Sequence, residues 1–262
     1  MKNTESDVQI FGGTISVKAL LESGKREVVE VWIDKTKRSK DLGWIMGLCQ
    51  KLNVPVLKQE HTLMQETLEG CGGVIAYAKH RVLPMLEDST ELRGFCVFID
   101  GVEDPYNMGS ICRSLYAAGA NALLIRKRDW SMSENTLLKA SAGSWERMPV
   151  FMIENDEALA SWKKASGMPV LASSRKNAIS LFNTNFPLNC LVVIGGALRG
   201  ISAAVETLCD QNFYIPYGRD FKNALDTASC AAVVGFAWTR QMLQEQADPM
   251  DLMATPLEEI EE

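Results

Sequence analysis

Three loops of this chain collect the residue types that could do chemistry. In DPYNMG (104–109), Pro105 fixes the backbone after Asp104, Asn107 offers a side-chain oxygen that can cap the following helix, and Gly109 admits a close neighbour. Further along that helix stands Arg113, which reads as buried among apolar neighbours. It is a permanent cation able to orient a hydroxyl or a phosphate, or else to pair with Asp104 or Asp100 across the turn. In IGGALRGIS (194–202), Gly195, Gly196 and Gly200 strip side chains from a turn and leave backbone N–H groups facing whatever lies above. That spacing matches neither G-x-x-x-x-G-K-[ST] nor G-x-G-x-x-G. A flat, neutral ligand such as an adenosine moiety, read by backbone groups and apolar walls, fits it better than a bare phosphate does. The third loop is IPYGRDFKNALDTAS (215–229).

Each loop follows a short apolar run (FCVFID, CLVVIGG, FYIP), the pattern of a buried strand, so all three lie at strand ends. In an open α/β sheet ligands bind there. Strands and helices alternate along the whole chain, which predicts an α/β fold with mostly parallel strands. VVEVWID, VPVLK and GVIAYA read as strands of a first unit. RVLPMLEDSTELRG (81–94) breaks the rhythm, and the domain boundary belongs there. The second unit reads as six strands with helices between them in a doubly wound sheet, including helices over SENTLLKASAGSWE and SAAVETLC and a long final helix. In that final helix Ala228, Ser229, Ala231, Ala232 and Gly235 permit another backbone to approach closely. The expected division is residues 1–90, 91–245, and a mobile acidic tail at 246–262.

Composition narrows the classes further. With 262 residues, 47% of them hydrophobic, the chain can bury a substantial core. No apolar run reaches the roughly 18 residues of a membrane span, and MKNTESDVQI lacks a signal-peptide core, so a cytoplasmic location is expected. The seven cysteines are scattered singly, as buried free thiols would be. Neither His61 nor His80 has a ligand-spaced partner, so no metal site is expected. The net charge of −6 argues against a nucleic-acid binder only at first sight. Acids and bases balance through 1–90 and through 91–245, and the excess sits in ADPMDLMATPLEEIEE. Within the neutral parts, DKTKRSK (Lys35, Lys37, Arg38, Lys40), RKR (126–128) and SSRK (Arg175, Lys176) are solvated loops that would also suit a phosphate backbone.

Taken in order, the three loops resemble the signature motifs of the TrmH/SpoU branch of the SPOUT RNA methyltransferases. DPYNMGSICRSLYAAGA is similar to the first motif, VVIGGALRGIS to the second and YIPYGRDFKNALDTASCAA to the third. FGGTISVKALLESGKREVVEVWID resembles the start of the small ribosomal-protein-like domain with which many members hold RNA. The resemblance implies a C-terminal α/β trefoil-knot methyltransferase domain, a homodimer, and S-adenosylmethionine-dependent methylation of a ribose 2′-hydroxyl in rRNA or tRNA. It places Asn107 and Arg113 at the functional asparagine and arginine. It puts the cofactor among Ala172, Ser173, Ile194, Gly195, Gly196, Gly200, Ile215, Pro216, Tyr217 and Leu225, and RNA against Lys35, Lys37, Arg38 and Lys40. The chain departs from the motifs in two places. Gly196 and Ala197 replace a polar residue and a glutamate, and Ala224-Leu225-Asp226 replaces serine-leucine-asparagine. These departures leave open a second reading, a non-catalytic RNA-binding protein on the same fold.

Overall fold

In the computed structural model, which describes residues 8–196 and 199–246, the chain builds two sheets. The first unit runs β1 (Val8–Gly12), α1 (Thr14–Ser23), β2 (Val28–Asp34), α2 (Lys40–Leu52), β3 (Val56–Gln59), α3 (His61–Thr67) and β4 (Val74–Lys79). Its strand order is β1-β4-β2-β3. Only the β2–β3 pair is parallel, because β4 slots between β1 and β2 and runs antiparallel to both. The expectation of mostly parallel strands fails here. A strand–helix rhythm gives element order but not direction, and after short α3 the chain turns on Gly70, Gly72 and Gly73, all at positive φ, and comes back the other way. Helix α2 starts where Ser39 Oγ accepts a hydrogen bond from the Leu42 N–H at 3.2 Å.

The second unit runs β5 (Phe95–Asp100), α4 (Pro105–Ala117), β6 (Ala122–Arg126), α5 (Glu134–Ala140), α6 (Ser144–Arg147), β7 (Val150–Ile153), α7 (Asp156–Ser166), β8 (Val170–Ser173), β9 (Ala178–Ser180), β10 (Cys190–Gly195), α8 (Ala203–Glu206), β11 (Gln211–Tyr214) and α9 (Thr227–Gln246). Its strands order as β7-β6-β5-β10-β8-β11-β9, every pair parallel. The sheet has seven strands, not six. The extra strand, β9, is three residues long with one exposed isoleucine, too short to show a period. The single helix expected over 133–146 divides into α5 and α6 where Ala142 and Gly143 take positive φ, and α8 is one turn rather than the full SAAVETLC.

Residues of β5 alternate between the faces of this sheet. Phe95, Val97 and Ile99 join a core with Ile111 and Leu115 of α4 and Val234 of α9, while Cys96 and Phe98 join another with Leu159 and Trp162 of α7. Five of the seven cysteines are buried and all are free, and burial pushes the Cys96 and Cys190 thiols up to about 12, so they behave as small core residues.

The two units share a core and a buried ion cluster. Phe11, Val17 and Leu20 pack in one continuous cluster with Leu138 and Trp145. Arg26 donates to Glu134 at 2.7 Å and to Glu146 at 2.6 Å, with no side chain of the three more than 5% exposed. His80 Nδ1 lies 3.3 Å from the same Glu134. Removing one member of such a buried set leaves an uncompensated charge and costs about 3–5 kcal/mol, so the seam is held in one arrangement. The segment after β4 also runs along β7, with Leu86 donating to Met152 O and Met152 to Pro84 O.

Candidate functional site

The C-terminal ends of β8, β10 and β11 enclose a cavity of about 300 Å³. Ser173, Ile194, Gly195, Gly196, Gly200, Ile215, Tyr217 and Leu225 line it, which brings together eight of the ten expected cofactor positions. Ala172 lies buried in the core behind the wall, and Pro216 lines an adjoining cavity with Arg219 and Phe221. Arg175, Phe213, Lys222, Thr227 and Cys230 also line the cavity and were not read from the sequence. Arg175 came up only as part of a basic cluster, yet its guanidinium lies over the Tyr217 ring, 5.3 Å from the centroid. The long third loop is pinned by the Leu225 N–H donating to the Tyr217 hydroxyl at 3.1 Å. The hydroxyl of Thr227 donates to Gly195 O at 3.3 Å, tying the start of α9 to the end of β10.

The glycines serve differently from expectation. The Gly196 N–H donates to Asp100 O at 2.6 Å and the Gly200 N–H to Gly196 O at 2.8 Å, so neither is free for a ligand. A β-carbon on Gly195 would run into the Gly200 carbonyl carbon, and one on Gly196 would stand 2.8 Å from Gly101 O. Close crossing of three chain segments, rather than a display of N–H groups, requires these residues. Beneath the crossing, Asp100 accepts from Arg126 Nε at 2.8 Å and from the Ser202 N–H at 2.9 Å, and Arg126 also pairs with Asp156. Ala197, the position of the missing glutamate, lies outside the described residues, as does the acidic tail beyond 246.

Next to this cavity is a second one of about 400 Å³, lined by Asn107 with Asp104, Arg199, Asp226 and Thr227. Thr227 belongs to both walls, so the cavities adjoin. Asn107 is not the helix cap. Asp104 takes that role, accepting from the Asn107 N–H at 2.7 Å with Pro105 as the first helical residue, and so the Asn107 amide is left exposed toward the cavity. Asp226 caps α9, accepting from the Ser229 N–H at 2.9 Å and the Ser229 hydroxyl at 2.6 Å, which lowers its pKa. The D-x-x-S pattern could have announced that cap.

Arg113 is exposed, not buried, and lines neither cavity. No ion pair with Asp100 or Asp104 forms, since Asp100 is committed to Arg126 and Asp104 to the cap. It lies on the solvent side of α4, whose inner side (Met108, Ile111, Cys112, Leu115) is core.

The basic loops also separate. Arg126, Lys127 and Arg128 pair with Asp100, Glu154 and Glu103, and Lys176 pairs with Glu206. Lys37, Arg38 and Lys40 line a cavity of about 560 Å³ at the start of α2, together with Lys58, which the sequence did not single out. Lys35 is outside that lining and pairs with Glu60 at 2.7 Å. Below this loop, Asp34 is buried and holds Thr36 and His61, the latter at 2.7 Å.

A parallel sheet with a cavity at its C-terminal edge has the arrangement in which open α/β folds bind their ligands. The SpoU rRNA Methylase family model matches residues 94–236, more than half of the chain. The chain belongs to that family. It is 26% identical over 243 residues to the 23S rRNA (guanosine-2′-O-)-methyltransferase RlmB of Xanthomonas campestris pv. campestris, covering 88% of this chain and 96% of that protein. The enzyme of the same name from Pseudomonas putida is 23% identical over 243 residues, covering 90% and 98%. Among solved structures, the SpoU methyltransferase AviRb from Streptomyces viridochromogenes in complex with AdoMet superposes with a TM-score of 0.75 at 22% identity, covering 93% of this chain and 95% of that one. An RNA 2′-O ribose methyltransferase gives 0.74 at 18%, covering 91% and 90%. These superpositions share the fold, both units included. Among the described residues no helix is long and apolar enough to cross a membrane, and no group of three or more His, Cys, Asp or Glu could hold a metal ion.

Proposed function

We propose that the protein is an S-adenosylmethionine-dependent RNA ribose 2′-O-methyltransferase acting as a cytoplasmic homodimer. The observation that carries the reading is the adjoining pair of cavities, one built by the second and third motif loops and the other presenting Asn107 of the first. The residues present suit the cofactor. Ile194, Ile215 and Leu225 give apolar walls for an adenosine, and Ser173 and Thr227 give hydroxyls. Arg175 and Lys222 supply cations for the carboxylate of its methionine part. When bound, S-adenosylmethionine supplies an electrophilic methyl group on a sulfonium.

This chain's residues then have three tasks: to place the ribose oxygen in line, to exclude water, and to help a proton leave. Asn107 holds the acceptor by hydrogen bonds. The Arg113 guanidinium orients the phosphate and stabilises the developing alkoxide, and the hydroxyl proton passes to solvent rather than to the guanidinium. Its exposed position supports the dimer, because it can serve a site completed by the partner subunit. Exposed Tyr116 on α4, one turn from Arg113, and exposed Phe236 and Leu243 on α9, which packs on α4, give apolar area to bury. The tight crossings at Gly195 and Gly196 support the knotted threading of the 194–202 loop. Because packing accounts for the glycine at 196, its lack of a side chain does not favour the non-catalytic alternative. The first unit, with its basic cavity at Lys37, Arg38 and Lys40, holds RNA.

Calorimetric titration with S-adenosylmethionine and S-adenosylhomocysteine tests the cofactor assignment. Micromolar binding of either is expected. No heat at millimolar ligand with folded protein, with or without RNA, would overturn the reading.

A further inference from the structure

The largest of the cavities described lies at the seam between the two units and takes no part in the account above. It measures about 630 Å³, within the range that holds a nucleotide-sized ligand. Its walls come from His80–Leu83, which follow β4, from the loop after β6, from Trp145 and Met152, and from the carboxylates Glu134 and Glu154. The Arg128 guanidinium covers the Trp130 ring at 5.4 Å, and that of Arg81 covers the Trp145 ring at 5.7 Å. Trp130 is 6% exposed, and its indole N–H is buried without a hydrogen-bond acceptor. Leu83 and Met152 contribute apolar surface, and Val82 beside them is 88% exposed.

Place and charge say what would occupy it. The cavity sits at the C-terminal ends of β6 and β7, on the same edge of the sheet as Asn107 at the end of β5. The two places are linked directly: Arg128 of the seam cavity pairs at 3.0 Å with Glu103, which lines the Asn107 cavity. Lys127 likewise makes a surface pair with Glu154 at 2.7 Å. Such exposed pairs are weak and open readily to a competing phosphate. Apolar walls, guanidiniums stacked on indole rings, and two cations held by exposed pairs match one unpaired nucleotide of an RNA strand, whose phosphate would displace Glu103 and Glu154 from them.

We infer that the seam cavity is a subsite for a single unpaired nucleotide of the substrate RNA, its base between Leu83 and the Arg128–Trp130 stack and its phosphate on Arg128 and Lys127. The inference rests on the RNA-methyltransferase reading and deepens it, since it makes the fixed seam part of substrate selection.

Two measurements on the full chain test it. In saturation-transfer NMR with the four ribonucleoside 5′-monophosphates, saturable binding that S-adenosylmethionine does not displace is expected. Ser131→Phe, which fills the cavity without changing charge, should abolish it, and Arg128→Ala, a change at an exposed side chain that leaves the core intact, should weaken it. With an unmodified 23S rRNA transcript, the RNA type named for the Xanthomonas relative, both variants should raise KM for RNA about tenfold, the scale of one lost base stack, while S-adenosylmethionine affinity stays as in the wild type. Monophosphates binding Ser131→Phe as they bind the wild type, or an unmoved KM in Arg128→Ala, would overturn the inference. Wild-type protein that methylates no RNA would instead sink the parent reading, and the monophosphate measurement would still decide whether the subsite exists.

Discussion

The proposed chemistry rests on two side chains that the structure leaves free. Asn107 is exposed because Asp104 and Pro105 do the capping, and Arg113 is exposed because no acid among the described residues pairs with it. Arg113→Ala should lower single-turnover methylation about 100-fold or more, the loss typical of one oriented stabilising group. S-adenosylmethionine affinity and melting temperature should stay unchanged; an undiminished rate would remove the role. A second residue-scale prediction concerns Asp34. Hydrogen bonds from Thr36 and then His61 hold its carboxyl down from 3.8 to about 2. A folded-state pKa below the unfolded one means that the folded protein binds the proton less readily. The stabilisation is therefore complete above about pH 4 and is lost as pH falls through about 2. Acid unfolding followed by circular dichroism should show Asp34→Asn less stable than wild type at pH 6 and the difference closing toward pH 2. A constant difference across that range would contradict the assignment.

At the scale of elements, the site is a product of close approaches. α4 meets α5 at Gly109, where a β-carbon would stand 2.6 Å from Ala140 Cβ and 2.8 Å from Leu137 O. Gly109→Ala should destabilise the fold by about 1–3 kcal/mol, because part of the obstacle is backbone. Chemical denaturation reads this directly, and an unchanged midpoint would refute it. The sequence announced this approach, since a glycine one turn into an apolar helix has few other uses. It also announced the strand ends that carry the loops, because FCVFID and CLVVIGG are apolar runs bounded by turn residues. It could not show that Gly196 and Gly200 spend their N–H groups on backbone carbonyls. The Asp100 partner of Gly196 is fixed by tertiary threading and leaves no local pattern, whereas the Gly200–Gly196 bond closes a local turn. Strand direction in the first unit was hidden for the same reason, and β9 by its length.

For the whole molecule, the decisive feature is that one sheet edge carries the cavity at β8, β10 and β11, the Asn107 cavity and the seam cavity in series, while the Arg26 cluster holds the first unit against α5 and α6. Charge balance had permitted an RNA partner without indicating the layout, because Arg126, Lys127 and Arg128 looked like a single basic patch and proved to be engaged in four ion pairs, two of them made by Arg126. The central claim is ribose methylation of RNA, and product analysis tests it most directly. Purified protein, S-adenosylmethionine carrying a deuterated methyl group, and unmodified rRNA and tRNA would be incubated together, and the RNA digested to nucleosides for mass spectrometry. The account predicts a deuterated methyl on a ribose, at a single kind of nucleoside, and its loss with Arg113→Ala. Label confined to a base, or absent from every RNA although the cofactor binds, would contradict it.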